Sequence, residues 1–106
     1  MKLLATLLAL ASANAFALTV NCPNHAKIVV GPKTAAITYA ARMEFTDNKD
    51  IANFLSKSEL ETAYQARKWG ANIAIPNSLL NGSAKTAVVI FYLPEDAPEA
   101  EYCTRE

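Results

Sequence analysis

Glycine is scarce in this chain: there are three in 106 residues. That leaves little scope for the Gly-rich loops that cradle phosphates, and no such loop, nucleophile elbow or two-histidine zinc motif is present. Histidine occurs once, as His25, and a lone imidazole needs a neighbouring acid or nucleophile before it can act as a catalytic base. Neither sign of charge dominates, with ten Lys and Arg against ten Asp and Glu. The basic footprint of a nucleic-acid binder is therefore missing. What imbalance exists is local: after Leu93 the chain carries Glu95, Asp96, Glu99, Glu101 and Glu106 against Arg105 alone. Calcium loops space Asp, Asn and Gly more tightly than this, so the acidic stretch reads as a solvated loop.

Cysteine is also sparse, but its placement is informative. The two cysteines, Cys22 and Cys103, lie near opposite ends of the chain that follows the leader. Met1-Lys2 gives a positive start, Leu3–Ala11 is apolar, and the small residues Ala13, Ala15 and Ala17 follow. This is the layout of a secretory signal peptide, too short to span a bilayer. Cleavage fits after Ala15 or after Ala17, and the second is favoured. The expected organisation is a signal peptide over 1–17 and one small secreted domain over 18–106, with no transmembrane segment after cleavage. Export implies an oxidising compartment, and so a Cys22–Cys103 disulfide. Closing a loop of about 80 residues stabilises by roughly 4–5 kcal/mol in the chain-entropy model.

The Ala-rich leader, Cys22-Pro23 and Tyr102-Cys103 together resemble the layout of small uncharacterised secreted proteins of Gram-negative bacteria. The resemblance covers the two ends and the overall size. It implies export to the periplasm or beyond and carries over no functional residue.

Between the cysteines, Lys85–Leu93 is the most apolar run, β-branched and aromatic, and stopped by Pro94. It reads as a strand covered on both faces. Thr34–Phe45 alternates cleanly, with Ile37, Tyr39, Ala41, Met43 and Phe45 on one side, so it reads as a half-exposed strand. Ile51, Phe54 and Leu55 have helical spacing. Ser58-Glu59-Leu60-Glu61 matches a capping box, and good helix formers follow up to Gly70. These signals predict a helix over Glu59–Trp69. A strand competes there, because Leu60, Thr62, Tyr64 and Ala66 also alternate. His25–Val30, Ala71–Ile75 and Ala100–Thr104 read as short strands, and Asn81-Gly82 predicts a hairpin turn within an Asn77–Ser83 loop. The expected fold is α+β: a small antiparallel sheet with one covering helix, its ends tied by the disulfide. An all-β sandwich is the alternative.

Function is expected to be non-enzymatic: binding or interaction in the periplasm or outside the cell, with no catalytic residue, metal or cofactor. A protein or a glycan of the envelope or extracellular space is the expected partner. The candidate partner surface is Tyr64, Arg67, Lys68 and Trp69, where two cations stand beside an aromatic side chain. Tyr39, Tyr92 and Tyr102 add aromatic rings that core or interface packing also explains. The alternative function is a secreted inhibitor of a host or competitor hydrolase, presenting Asn77–Ser83 or Pro94–Glu99. Glu59 and Glu61, and Asp47 and Asp50, read as solvated carboxylates rather than a glycosidase pair.

Overall fold

The computed structural model describes residues 18–106, and the expected signal peptide lies outside the described residues. Eight antiparallel strands run in chain order and close into a barrel. They are β1 (Leu18–Cys22), β2 (Ala26–Val30), β3 (Thr34–Tyr39), β4 (Lys49–Lys57), β5 (Glu61–Ala66), β6 (Asn72–Pro76), β7 (Thr86–Tyr92) and β8 (Glu99–Arg105). Closure comes from β1 pairing β8 through Val20↔Arg105 and Asn21↔Thr104. The Cys22–Cys103 disulfide links these same two strands across 81 residues of sequence. It thus sits inside the barrel at its seam, where both sulfurs are excluded from water.

The interior is filled by alternate residues of every strand, as a small closed barrel requires. Val20, Ile28, Ile37, Ile73, Ile75, Val89 and Phe91 are almost wholly buried. Alanine at positions 26, 35, 52 and 66 supplies the small partners between them. Burial on this scale drives closure at roughly 1.5–3 kcal/mol for each large aliphatic or aromatic side chain.

The architecture corrects the α+β expectation. There is no covering helix, and residues 59–69 form the end of a hairpin, strand β5 and a turn. The capping signal at Ser58 is genuine but serves a different structure. Ser58 Oγ accepts hydrogen bonds from the backbone N–H of Leu60 (3.3 Å) and Glu61 (3.2 Å), as an N-cap would. The chain then reverses, with the Ser58 N–H donating to the Glu61 carbonyl at 2.8 Å, and Thr62, Tyr64 and Ala66 turn inward. Tertiary pairing with β4 and β6 overrides the helix propensity. Nor are there two packed sheets, as a sandwich needs, since one sheet closes on itself.

Smaller departures have the same origin. Ile51, Phe54 and Leu55 belong to β4 rather than to a helical turn, with a bulge between Phe54 and Ser56. The Thr34–Phe45 strand stops at Tyr39, and Ala41–Met43 form a 3-10 turn. Residues Asn77–Asn81 form a five-residue helix, α1, and Gly82 ends it in the left-handed region at φ 86°. Asn81-Gly82 is therefore a helix terminus, not a hairpin turn. Strand β7 buries Val89 and Phe91 but leaves Val88 and Tyr92 exposed, so it is covered on one face only.

Candidate functional site

The barrel has two ends. One receives the β1–β2 turn, the long β3–β4 connection, the β5–β6 turn and the β7–β8 turn. The other receives the remaining hairpins and α1, whose Leu79 is fully buried beneath the helix. At this second end the Arg105 Nε donates to the Leu79 carbonyl at 3.0 Å, tying β8 to the helix. A cavity remains there, walled in part by Val30, Phe54, Tyr64 and Leu80.

The first end is built around a buried acid. Asp50 follows the inward register of β4 with Ala52, and it is 8% exposed. Its carboxylate accepts hydrogen bonds from the backbone N–H of Ile51 (2.7 Å), Lys68 (3.0 Å) and Trp69 (3.1 Å), and from the Tyr39 hydroxyl (3.2 Å). Donors from three strands or turns thus converge on one side chain, which sets the β5–β6 turn in place. Burial, then the charge of Asp50 and its hydrogen bond, hold the Tyr39 phenol far above the ordinary tyrosine range.

That turn positions Trp69. Its indole stacks on Phe45 with ring centroids 4.5 Å apart and planes 8° from parallel, and Nε1 donates to the Asp47 carbonyl at 3.0 Å. Phe45 in turn meets Tyr39 edge-on at 4.6 Å. Trp69, Phe45, Met43, Leu93 and Pro94 form the apolar wall of an open cleft of about 370 Å³, with Arg42, Asp96 and Glu99 at its polar side. The volume lies in the range of small-ligand sites, which barrel mouths commonly supply. Glu44 and Glu95 are the non-glycine residues in the left-handed region among the described residues, and both lie in the loops around this end. Held backbone strain of this kind concentrates at functional regions.

Beside the cleft lies a polar cluster. His25 is 5% exposed and stacks on Phe91, ring centroids 4.5 Å apart. Its Nδ1 lies 2.7 Å from a Glu101 carboxylate oxygen, and its Nε2 lies 2.7 Å from one of Glu99. Glu101 also accepts from the Asn24 N–H at 2.9 Å, and the Asn24 carbonyl accepts from Arg42 at 3.1 Å. Both imidazole nitrogens are therefore engaged, and no free nitrogen faces the cleft. The cluster fastens the β1–β2 turn to β8 and leaves Arg42 and Glu99 shared between it and the cleft. Among the described residues, Cys22, Cys103 and Glu101 bring potential metal-ligand atoms together, but the sulfurs are bonded to each other and offer no thiolate.

The surface expected from sequence is divided by the fold. Arg67 lies on the outer wall, where Nε and Nη2 donate to Asn53 Oδ1 at 3.1 and 2.8 Å. Lys68 pairs with Asp47 and donates to the Lys49 carbonyl at 3.1 Å. Tyr64 points into the barrel toward the opposite end, edge-on to Phe54 at 6.3 Å, and burial pushes its phenol above the ordinary range. Trp69 alone of the four lines the cleft. Asn77–Ser83, offered as a presented loop, is largely occupied by α1 and contributes Leu79 to the core.

Arg42, Met43, Phe45, Leu93, Asp96 and Glu99 were not singled out as one cleft by sequence reasoning. The β3–β4 and β7–β8 connections supply them and the β5–β6 turn adds Trp69, so no linear motif joins them. One legible signal was the alternation Glu99, Glu101 against Ala100, Tyr102, which places the acids of a strand on a single face. No protein-family model matches this sequence, and comparison with curated proteins and with solved structures finds no matching chain. Among the described residues, no helix is long and apolar enough to cross a membrane.

Proposed function

We propose that the protein is an exported, non-enzymatic binding module that holds a small amphipathic ligand, or one side chain of a partner, in the mouth of the barrel. The observation that carries this reading is the cleft itself. Its apolar wall, Trp69 with Phe45, Met43 and Leu93, can cover a ring or short alkyl group, while Arg42, Asp96 and Glu99 supply its polar side. The walls are preorganised by Asp50 and by aromatic stacking, which lowers the ordering cost of binding. A non-enzymatic role is supported by His25, whose ring nitrogens are both engaged by carboxylates. Periplasmic or extracellular residence is supported by the leader-like segment and by the internal disulfide.

Trp69 is the only tryptophan, so intrinsic emission reports on this cleft directly. Titration of the oxidised protein with a panel of aromatic and amphipathic cations, zwitterions and short peptides is expected to yield at least one saturable emission change. The same compound raises the melting temperature, and Arg42→Ala or Met43→Ala weakens it. Saturable stabilisation without any Trp69 response, unaffected by both variants, would move the site elsewhere. A panel with no binder at all would sink the reading.

The inhibitor alternative is favoured by one feature, the hairpin joining β4 and β5. Leu60 at its tip is 81% exposed, and Phe54 and Leu55 are about half exposed on its arms. Loss of a hydrolase's activity on titration with the protein, restored by Leu60→Ala, is the expected outcome under that reading.

A further inference from the structure

The outer wall of the barrel is chemically uneven. On β2 to β5 the outward positions include Lys27, Lys49 and Glu61. On β6, β7, β8 and β1 they hold Ala, Val, Ile, Tyr, Thr, Asn and Pro only. Strand β8 is the extreme case, because its charged residues Glu99, Glu101 and Arg105 follow the inward register and Ala100, Tyr102 and Thr104 follow the outward one. A strand with its polarity reversed in this way keeps charge off its exposed face.

Two aromatic side chains stand on that charge-free wall. Tyr102 is 72% exposed and Tyr92 is 44% exposed. Tyr102 pairs directly with Val88 on β7, and Tyr92 lies four residues further along the same strand, beside Asn72 of β6. From strand rise and spacing the Cα atoms of the two residues are about 14 Å apart. The wall between them is low: Ile90 is flanked by Ala100 on one side and Ala74 on the other.

We infer that this wall is a platform for a neutral polysaccharide chain, with Tyr92 and Tyr102 as its two stacking positions. Aromatic faces take up the C–H faces of pyranose rings, and phenolic, amide and threonine groups match sugar hydroxyls. The spacing corresponds to a few linked pyranose rings lying over the alanine-flanked floor. Charge selects against the alternatives: with no cation on the wall, neither an acidic glycan nor a nucleic-acid backbone is recognised. Curvature selects against a second copy. These four strands are half of a closed eight-stranded barrel, and two such convex walls meet only along a narrow strip. A slender chain needs a lane, not a broad face.

The test is affinity electrophoresis of the oxidised protein in gels containing hydroxyethyl cellulose, mixed-linkage β-glucan, glucomannan or dextran, with the polyanion alginate as control. Retardation is expected in at least one neutral gel, absent in alginate, and unchanged at high salt. Tyr92→Ala and Tyr102→Ala should each weaken it by up to about tenfold, the scale of one aromatic contact. Both side chains lie outside the core, so the melting temperature should be nearly unchanged. Arg42→Ala, which alters the mouth, should leave retardation intact and so separates this site from that one. Three outcomes would overturn the inference: no retardation in any neutral gel, equal retardation of the double tyrosine variant, or a concentration-dependent dimer that Tyr102→Ala dissolves.

Discussion

The two ends of this barrel solve one problem in different ways. Each end of a closed sheet leaves interior side chains open to water unless something lies across it. At one end the sequence supplies a five-residue helix whose Leu79 is fully buried. At the other it supplies loops, and these are fixed by polar and aromatic contacts: Asp50 under the β5–β6 turn, Trp69 on Phe45, and His25 between Glu99 and Glu101. Apolar burial is non-directional and suits a stopper. Hydrogen bonds and ring stacking have geometry, so they can hold a loop edge beside an open cleft without filling it.

Four perturbations break or sharpen this contrast. The largest effect belongs to the stoppered end. Leu79→Ala is expected to destabilise the protein by about 2–5 kcal/mol, as a fully buried leucine does when truncated, measured by denaturant unfolding. Native Trp69 emission should stay as in the parent protein, because the mouth lies at the far end. Asp50→Ala is the matching change at the mouth. It leaves the N–H groups of Lys68 and Trp69 and the Tyr39 hydroxyl without their acceptor. A loss of roughly 1–3 kcal/mol is expected for buried donors left unpaired, and here Trp69 emission should shift before unfolding. Equal emission changes in both variants would show that the two ends are not independent.

The third comparison uses pH, since each end holds one buried phenol. Burial first, and then Asp50, raise Tyr39, while burial alone raises Tyr64. A phenol raised in the folded state keeps its proton where the unfolded chain loses it. Stability is therefore intact below the ordinary value of 10.0 and falls as pH rises through the folded values. Denaturant midpoints should decline above that pH, and Tyr64→Phe should remove the share belonging to the stoppered end. The smallest effect is expected for Asp47→Asn on the outside of the mouth. Its hydrogen bond from Lys68 holds the carboxyl below the ordinary range, so any contribution is present above the unfolded value and fades as pH falls through the depressed one. Asp47 is exposed, and solvent screening should leave the melting temperature of the variant unchanged within error.

Particular residues explain how much of this was legible beforehand. The cysteine pair could be matched because one pairing exists for two cysteines. The cores of β3 and β7 could be read from alternation and apolar run length. Ser58 to Gly70 misled because an N-cap and a tight turn present the same donors to the same oxygen, and only the next residues' partners distinguish them. Asp50 looked like a solvated acid because its neighbours Asp47 and Lys49 are solvated; its three backbone donors come in part from a turn 18 and 19 residues away. The mouth was invisible for the same reason, since Arg42, Trp69 and Glu99 meet only after the sheet closes.

By itself, then, the sequence determined which segments are strongly apolar, where five of the strands run and which cysteines pair. These are consequences of composition and of short-range periodicity, which each segment carries wherever it ends up. Whether the sheet closed, that β8 turned its acids inward and which loops shared an end were decided by tertiary structure alone. The physical reason is that strand pairing is non-local: the seam between Val20 and Arg105 satisfies backbone groups that no local pattern could have matched.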